Sequence, residues 1–417
     1  MTKNISILQA LDKSTIYEVN VRQYTQEGTI EAFIKHLPRL KKMGVDVIWL
    51  MPMHPIGKMN RKGSLGSYYS ISDFTDINPE FGTKLEFKNL VDEIHALDMK
   101  VIMDWVANHV AWDNIWTNNH PDFFARNENG QFLSPYDWTD VIQINHENER
   151  AHDALREAMC YWVKEFDIDG FRADLAHLTP VHFWVKTRAL TESIKPNLIW
   201  LAESDDVNYA AAFDVFFSWK WMHKTEDFFK NHLSISELIN VLYQQNEPFP
   251  PHVKQLYFTS NHDENSWNST EFEKYGIYAK ALAVFSFFYP KAVPLIYSGQ
   301  EVANNKRLYF FDKDEIDWND ENNLMEFYQR LSFSRKQLMA NDTLELIGFE
   351  EKIFAFKRGE DSTCIYVFLN LDDKLIEIDH PLPKGFYYNI FDETQSEIQS
   401  QISAQLNPGD FLVLISK

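Results

Sequence analysis

The sequence predicts an α/β protein: a (β/α)8 TIM barrel with a small excursion domain after its third strand and a C-terminal antiparallel β-sandwich domain. Three observations lead there. Short β-branched and aromatic runs alternate with amphipathic stretches up to about residue 340. Eight such runs can be counted, and no GxGxxG follows any of them, so an open dinucleotide-binding sheet lacks its phosphate turn. Beyond Met339 the helical rhythm gives way to short alternating strands separated by turn residues.

In chain order, the first strand is expected over 15–21. A single helix follows over 29–43, because Ile30, Phe33, Ile34, Leu37, Leu40 and Met43 fall at helical spacing and Gly44 stops it. The second strand, 45–50, is almost continuously apolar, as a strand covered on both faces should be. Phe87, Leu90, Val91, Ile94 and Leu97 form the next apolar helix face and lead into a third strand at 101–106. Between that strand and the next helix lie residues 111–149, rich in Asn, Asp, Pro and aromatics and far longer than the usual ~2–6 residue βα loop. They read as the excursion domain. Leu155, Met159, Trp162 and Phe166 then lead into the fourth strand, 168–174. Strands five to eight are expected over 198–203, 212–217, 255–260 and 293–297. The barrel thus takes 1–110 and 150–340, the excursion 111–149 and the β domain 341–417, with strands at 353–357, 364–369, 375–378 and 411–415.

With 40 Lys and Arg against 61 Asp and Glu, the net charge of −21 opposes both nucleic acid and an anionic membrane surface. The longest apolar stretch, 281–289, is broken by Ser286 and stopped by Pro290, short of the ~20 residues of a membrane helix. Two cysteines, Cys160 and Cys364, indicate neither a disulfide framework nor a structural metal. Residues 1–10 lack a basic segment followed by an apolar core, so a cytoplasmic location is expected, or a periplasmic or secreted one had a leader been removed. Sequons at Asn4, Asn268 and Asn341 matter only on a eukaryotic secretory route.

In a barrel the catalytic side chains stand where strands end at the C-terminal face, and four of these ends are unusually polar. The third ends in "DWVANHV" (Asp104, Asn108, His109), the fourth in "DGFRAD" (Arg172, Asp174), the fifth in "LAESDD" (Glu203), and the seventh in "FTSNHDE" (Asn261, His262, Asp263). Singly, each acidic residue reads as a helix cap or loop residue. Together they suggest more. Arg172 and Asp174 are two apart on one strand and can pair, which should keep the aspartate ionised below its reference pKa. Glu203, one strand over, would share a cavity with Asp174 and Asp263, and like charges supply a general acid. Retaining glycoside hydrolysis needs that division, with carboxyls about 5–5.5 Å apart. Adjacent strands at ~4.8 Å allow it.

These residues resemble the α-amylase family of glycoside hydrolases (family thirteen). The likeness extends over nearly the whole chain, since "DWVANHV", "GFRADLAH", "LAES" and "FTSNHDE" match its four signature regions in order. Further family-like stretches are "GVDVIWLMPMHPIG", "GSYYSISDFTDINPEFGT" at 66–83 and "VPLIYSGQE". The resemblance implies Asp174 as nucleophile, Glu203 as acid/base and Asp263 as a third carboxylate that grips sugar hydroxyls. It implies His109 and His262 as hydrogen-bonding partners of the sugar, Tyr69 as a ring stacked under it, and Arg172 as the group that orients the nucleophile. Three residues beyond the nucleophile the family often has Lys and then His; this chain has His177 and then Leu178, which leaves His177 as the substrate-binding candidate there. Asn108 matches a residue that ligates a structural calcium in many relatives, with an Asp of the excursion (Asp113, Asp122, Asp137 and Asp140 are available) and a backbone carbonyl. Calcium wants six to eight oxygens, and Asn108 could equally cap a turn.

Asp104 either supports Arg172 or is structural, and Trp49 and Trp105 read as packing. Trp112, Trp116, Phe123, Phe124, Tyr136 and Trp138 either stack on sugars or form the excursion's own core. His146, His152 and His177 match no zinc spacing. There is no GxSxG. The expectation is hydrolysis of α-1,4-glucosidic bonds in starch, glycogen or malto-oligosaccharides, with no organic cofactor and an α-glucan as the partner. An α-glucan transglycosylase, α-glucosidase or glucosyl isomerase would use the same carboxylates. A non-catalytic glycan-binding member would usually have lost one of the three. Endo or exo action and oligomeric state stay open.

Overall fold

A computed structural model describes residues 10–319, 323–337, 343–348, 353–359 and 364–416. Eight parallel strands close into a barrel: β1 (Ile16–Val19), β2 (Val47–Leu50), β3 (Lys100–Val106), β4 (Gly170–Asp174), β5 (Ile199–Ala202), β6 (Val215–Phe217), β7 (Lys254–Tyr257) and β8 (Ala292–Tyr297). Each pairs with its sequence neighbour, and β1 closes the ring on β8. Both faces are covered, which is why β2 reads as an unbroken apolar run. Inward residues Ile16, Val47, Trp49, Ile102, Leu201, Val215 and Leu256 fill the barrel, and a larger cluster packs between strands and helices.

The helix expected over 29–43 is two helices, Ile30–Ile34 and Leu37–Met43. Pro38 is the cause: it has no N–H to continue the ladder, and a proline fits only in a helix's first turn. Gly44, at φ 95°, caps the second helix as expected. The 281–289 stretch lies in the buried helix Ala279–Phe288, and among the described residues no helix is long and apolar enough to cross a membrane.

The excursion leaves β3 through His109–Ala111, which pairs antiparallel with Val141–Gln143 and so returns the chain to the mouth of the barrel. Phe123 and Phe124 are buried in it, and Trp116 stacks on Phe74 at 5.1 Å. In the C-terminal region a six-stranded antiparallel sheet and the pair Ile376–Pro381 with Gln401–Leu406 enclose Phe368, Ile378, Leu406 and Leu412. The strands at 353–357, 364–369, 375–378 and 411–415 are all present to within a few residues. Met339, Asn341, Asn4 and most of the 1–10 segment lie outside the described residues.

Candidate active site

Strand register builds the centre of the site. Asp104 on β3 lies opposite Arg172 on β4, and Val106 lies opposite Asp174, so Asp104, Arg172 and Asp174 share one face. Gly170 opens β4 at φ +151°, where a Cβ would sit 2.0 Å from the Ile199 carbonyl oxygen; only glycine lets β4 approach β5 this closely. Arg172, fully buried, then spreads its fork over three carboxylates. Its Nη1 donates to Asp104 Oδ1 at 2.7 Å and Asp174 Oδ1 at 3.1 Å, and its Nη2 donates to Glu203 Oε2 at 2.7 Å. A planar guanidinium is the one side chain able to hold that geometry.

The residue after Asp174, Leu175, adopts a left-handed backbone (φ 39°, ψ 52°), a costly conformation for a non-glycine residue. The turn aims the Leu175 N–H at Glu203 Oε2, 2.9 Å away. Both hydrogen bonds described for Glu203 therefore fall on Oε2, which leaves Oε1 to a ligand. Tyr69 closes one side: its hydroxyl meets Asp104 Oδ2 at 3.1 Å and His262 Nε2 at 2.8 Å, and its ring lies parallel to Phe310. His262 Nδ1 meets Glu18 Oε1 at 2.5 Å, and its Nε2 lies 3.4 Å from Asp263 Oδ2. Asp174, Glu203, Asp263, Tyr69 and His109 all line one cavity of about 610 Å³, within the usual range for a small-molecule site.

Charge in the site departs from expectation. Burial pushes the Asp174 carboxyl well above the usual carboxylate range; Arg172 opposes this, while Glu203, Asp104 and Asp263 reinforce it. Arg172 does not hold Asp174 below its reference pKa, because burial outweighs the attraction of one guanidinium that is also shared with Asp104 and Glu203. Burial lowers His262, but Asp263 and Glu18 outweigh it and bring the imidazole up to about 9, so it is a cation at neutral pH. Burial instead drops His109 to about 4 and keeps it neutral.

Arg172 and His262 form the floor beneath the cavity, whereas His177 does not line it: the His177 side chain is exposed on the loop after β4. Asn108 is buried, with Nδ2 against His109 Nδ1 at 3.4 Å and its carbonyl accepting from the Ile144 N–H. The acidic residues suggested as its co-ligands are engaged elsewhere. Asp113 Oδ2 accepts from the Lys58 and Met59 amides, Asp122 pairs with Asn148 and Arg150, and Asp140 pairs with Lys62 at 2.8 Å. Asp137 lines the cavity instead. The described residues thus do not assemble a hard-cation cage around Asn108, and no step below uses calcium.

Trp49 does more than pack: its indole N–H donates to Asp104 Oδ2 at 3.2 Å, and its ring lies 5.1 Å from the Arg172 guanidinium. Of the excursion's rings, Trp138 lines the cavity, its ring centre 5.4 Å from that of His109. Sequence reasoning missed Glu18, Lys62, Phe310 and Phe311. Glu18 had a signal, a charge inside the apolar strand "IYEV". Phe310 and Phe311 had a weaker one, an aromatic pair in a polar loop.

Comparison with known proteins follows the same lines. The family model "Alpha amylase, catalytic domain" matches residues 11–134. The chain is 24% identical over 390 residues to Alpha-amylase 2 of Dictyoglomus thermophilum, covering 87% of this chain and 67% of that protein. Crystal structures of an alpha-amylase from Lactobacillus plantarum (TM-score 0.89, 27% identity, 98% of this chain and 100% of that one) and of a noncanonic maltogenic alpha-amylase from Thermotoga neapolitana (TM-score 0.89, 29% identity, 97% and 99%) share the fold. The chain spans from 32% to 70% of the length of the curated relatives it matches.

Proposed function

We propose that this chain is a member of the α-amylase family of glycoside hydrolases, a retaining hydrolase of α-1,4-glucosidic bonds in starch, glycogen or malto-oligosaccharides. The carrying observation is the Arg172 fork, which holds Asp174 and Glu203 side by side at the floor of one sugar-sized cavity. In the reactive form Glu203 is the carboxylic acid and Asp174 the carboxylate, and Glu203 protonates the glycosidic oxygen as that bond breaks. Asp174, whose Oδ1 is fixed by Arg172, attacks the anomeric carbon through Oδ2 and forms a glycosyl ester. Glu203, now a carboxylate, takes a proton from water, and the water oxygen displaces Asp174. Two inversions give net retention. Asp263 accepts from ring hydroxyls and favours the oxocarbenium-like ring, while His262, beneath the cavity, holds Asp263 in place through Nε2.

The steps need only proton transfer and displacement, so no organic cofactor enters. The low cysteine content supports a reducing compartment, the cytoplasm. Asp174→Asn keeps the acceptor for Arg172 and removes the nucleophile. Its turnover of maltodextrins should fall by at least on the order of 10⁴-fold with an unchanged thermal midpoint. A variant with near-normal turnover would remove the mechanism. Accumulation of longer oligosaccharides in the wild-type reaction would instead assign the same intermediate to transglycosylation.

A further inference from the structure

Outside the cavity, one group of ligand-type side chains combines burial with a ring nitrogen that has no hydrogen-bond partner. Glu149 and His152 stand at the start of the helix Glu149–Phe166, and His182 is the second residue of the helix packed beside it, Val181–Ile194. One ligand atom from each lies within 4.8 Å of the other two, the only such group among the described residues. His152 is fully buried, and its Nδ1 has no hydrogen-bond partner; that atom faces Glu149 Oε1 at 3.7 Å. His182 Nε2 approaches the same oxygen at 4.0 Å. The opposite nitrogen of His152, Nε2, is hydrogen-bonded to His146 Nδ1 at 3.1 Å.

An unpartnered buried polar atom costs about 1–3 kcal/mol, and His152 Nδ1 is one such atom, as are His146 Nε2 and Arg156 Nε and Nη1 beside it. In the tautomer that donates Nε2–H to His146, the lone pair sits on Nδ1, facing Glu149 and His182. That is how metal-binding imidazoles are held, one nitrogen hydrogen-bonded and the other presented to the ion. Glu149 is secured through its second oxygen: Arg156 Nη2 holds Oε2 at 2.9 Å and Lys186 lies 3.5 Å from it, leaving Oε1 for the histidines. A tetrahedron with bonds of ~2.0–2.1 Å needs ligand atoms about 3.3 Å apart, so the three atoms must close by up to about 1.5 Å. Glu149 and His182 can supply that movement, since their side chains are 59% and 64% exposed.

We propose that Glu149, His152 and His182 form a binding site for a zinc-class divalent ion, with water as fourth ligand, clamping two neighbouring barrel helices where the excursion rejoins the barrel. Two imidazoles and a single carboxylate oxygen select a borderline metal over calcium or magnesium. His177, grouped with His146 and His152 on sequence, takes no part; His182 occupies that place.

The test is calorimetric titration of the full chain with zinc, and with cobalt(II) as a visible-absorption probe of tetrahedral ligation. One equivalent should bind, with an intense cobalt d–d band and a zinc-dependent rise in thermal midpoint. His182→Ala and Glu149→Gln alter exposed side chains and should weaken binding on the order of 100-fold without changing maltodextrin hydrolysis. His177→Ala should bind as the wild type does. Absence of saturable binding, a weak six-coordinate cobalt spectrum, or affinities in the two variants within about threefold of wild type would overturn the site.

Discussion

Arg172→Lys is the sharpest probe of the site because it preserves charge and removes shape. In the native site two guanidinium nitrogens carry three charge-assisted contacts, at 2.7, 3.1 and 2.7 Å, to Asp104, Asp174 and Glu203. A single ammonium at the end of a flexible stem holds one of these carboxylates well and leaves the others short of a donor. Each lost contact of this kind is worth about 1.5–3 kcal/mol, so two amount to about 3–6 kcal/mol, divided between folding stability and the transition state. At ~1.4 kcal/mol per decade, the part borne by catalysis alone can lower kcat/KM by about 10²–10⁴-fold. Losing the fork also leaves Asp174 to the burial and carboxylate repulsion that already raise it, which moves the acidic limb of the pH–rate profile to higher pH. Hydrolysis of a chromogenic malto-oligosaccharide from pH 4 to 9, beside urea unfolding of the same preparations, separates the two contributions. Retention of kcat/KM within about threefold, together with an unmoved acidic limb and unfolding midpoint, would refute the idea that Arg172 acts through its geometry.

Two further outcomes follow from the cavity. His262 titrates near 9 in the folded protein and near ~6.5 when unfolded, so its contribution to stability is complete below pH ~6.5 and is lost as pH rises through 9. The loss is about 3 kcal/mol; urea unfolding across that window should show it in the wild type and not in His262→Gln, and equal slopes would contradict the assignment. Trp138→Ala removes a half-buried wall of the cavity without touching the carboxylates. Loss of about 1–2 kcal/mol of sugar contact should raise KM roughly 5–30-fold at constant kcat. A fall in kcat alone would place the ring in the transition state.

Much of this protein was legible along the chain because the relevant signals are local. Alternating periods gave all eight barrel strands, the strand-end motifs pointed to Asp174, Glu203, Asp263, His109 and His262, and the stretch at 66–83 to Tyr69; all but His262, which lies beneath it, line one cavity. A motif fixes residue types and their order, and parallel register then makes neighbours of residues that end adjacent strands. Pro38 was equally visible, and the apolar spacing across it concealed a break that its missing N–H imposes.

Other features required the third dimension, since each is a sum over groups far apart in sequence. Whether Asp174 is held below or above its reference pKa depends first on its burial and then on every charge around it, and together these reverse the answer a two-residue view gives. Glu18 finds His262 across 244 positions, and Phe310 reaches Tyr69 only because the chain after β8 folds back over the cavity mouth. His182 joins Glu149 and His152 through the packing of two helices, a contact that no spacing rule along one segment encodes. Periodicity and motif are properties of short segments and survive in one dimension. Proton affinity, ligand geometry and cavity shape are properties of distance in space, and folding alone sets those distances.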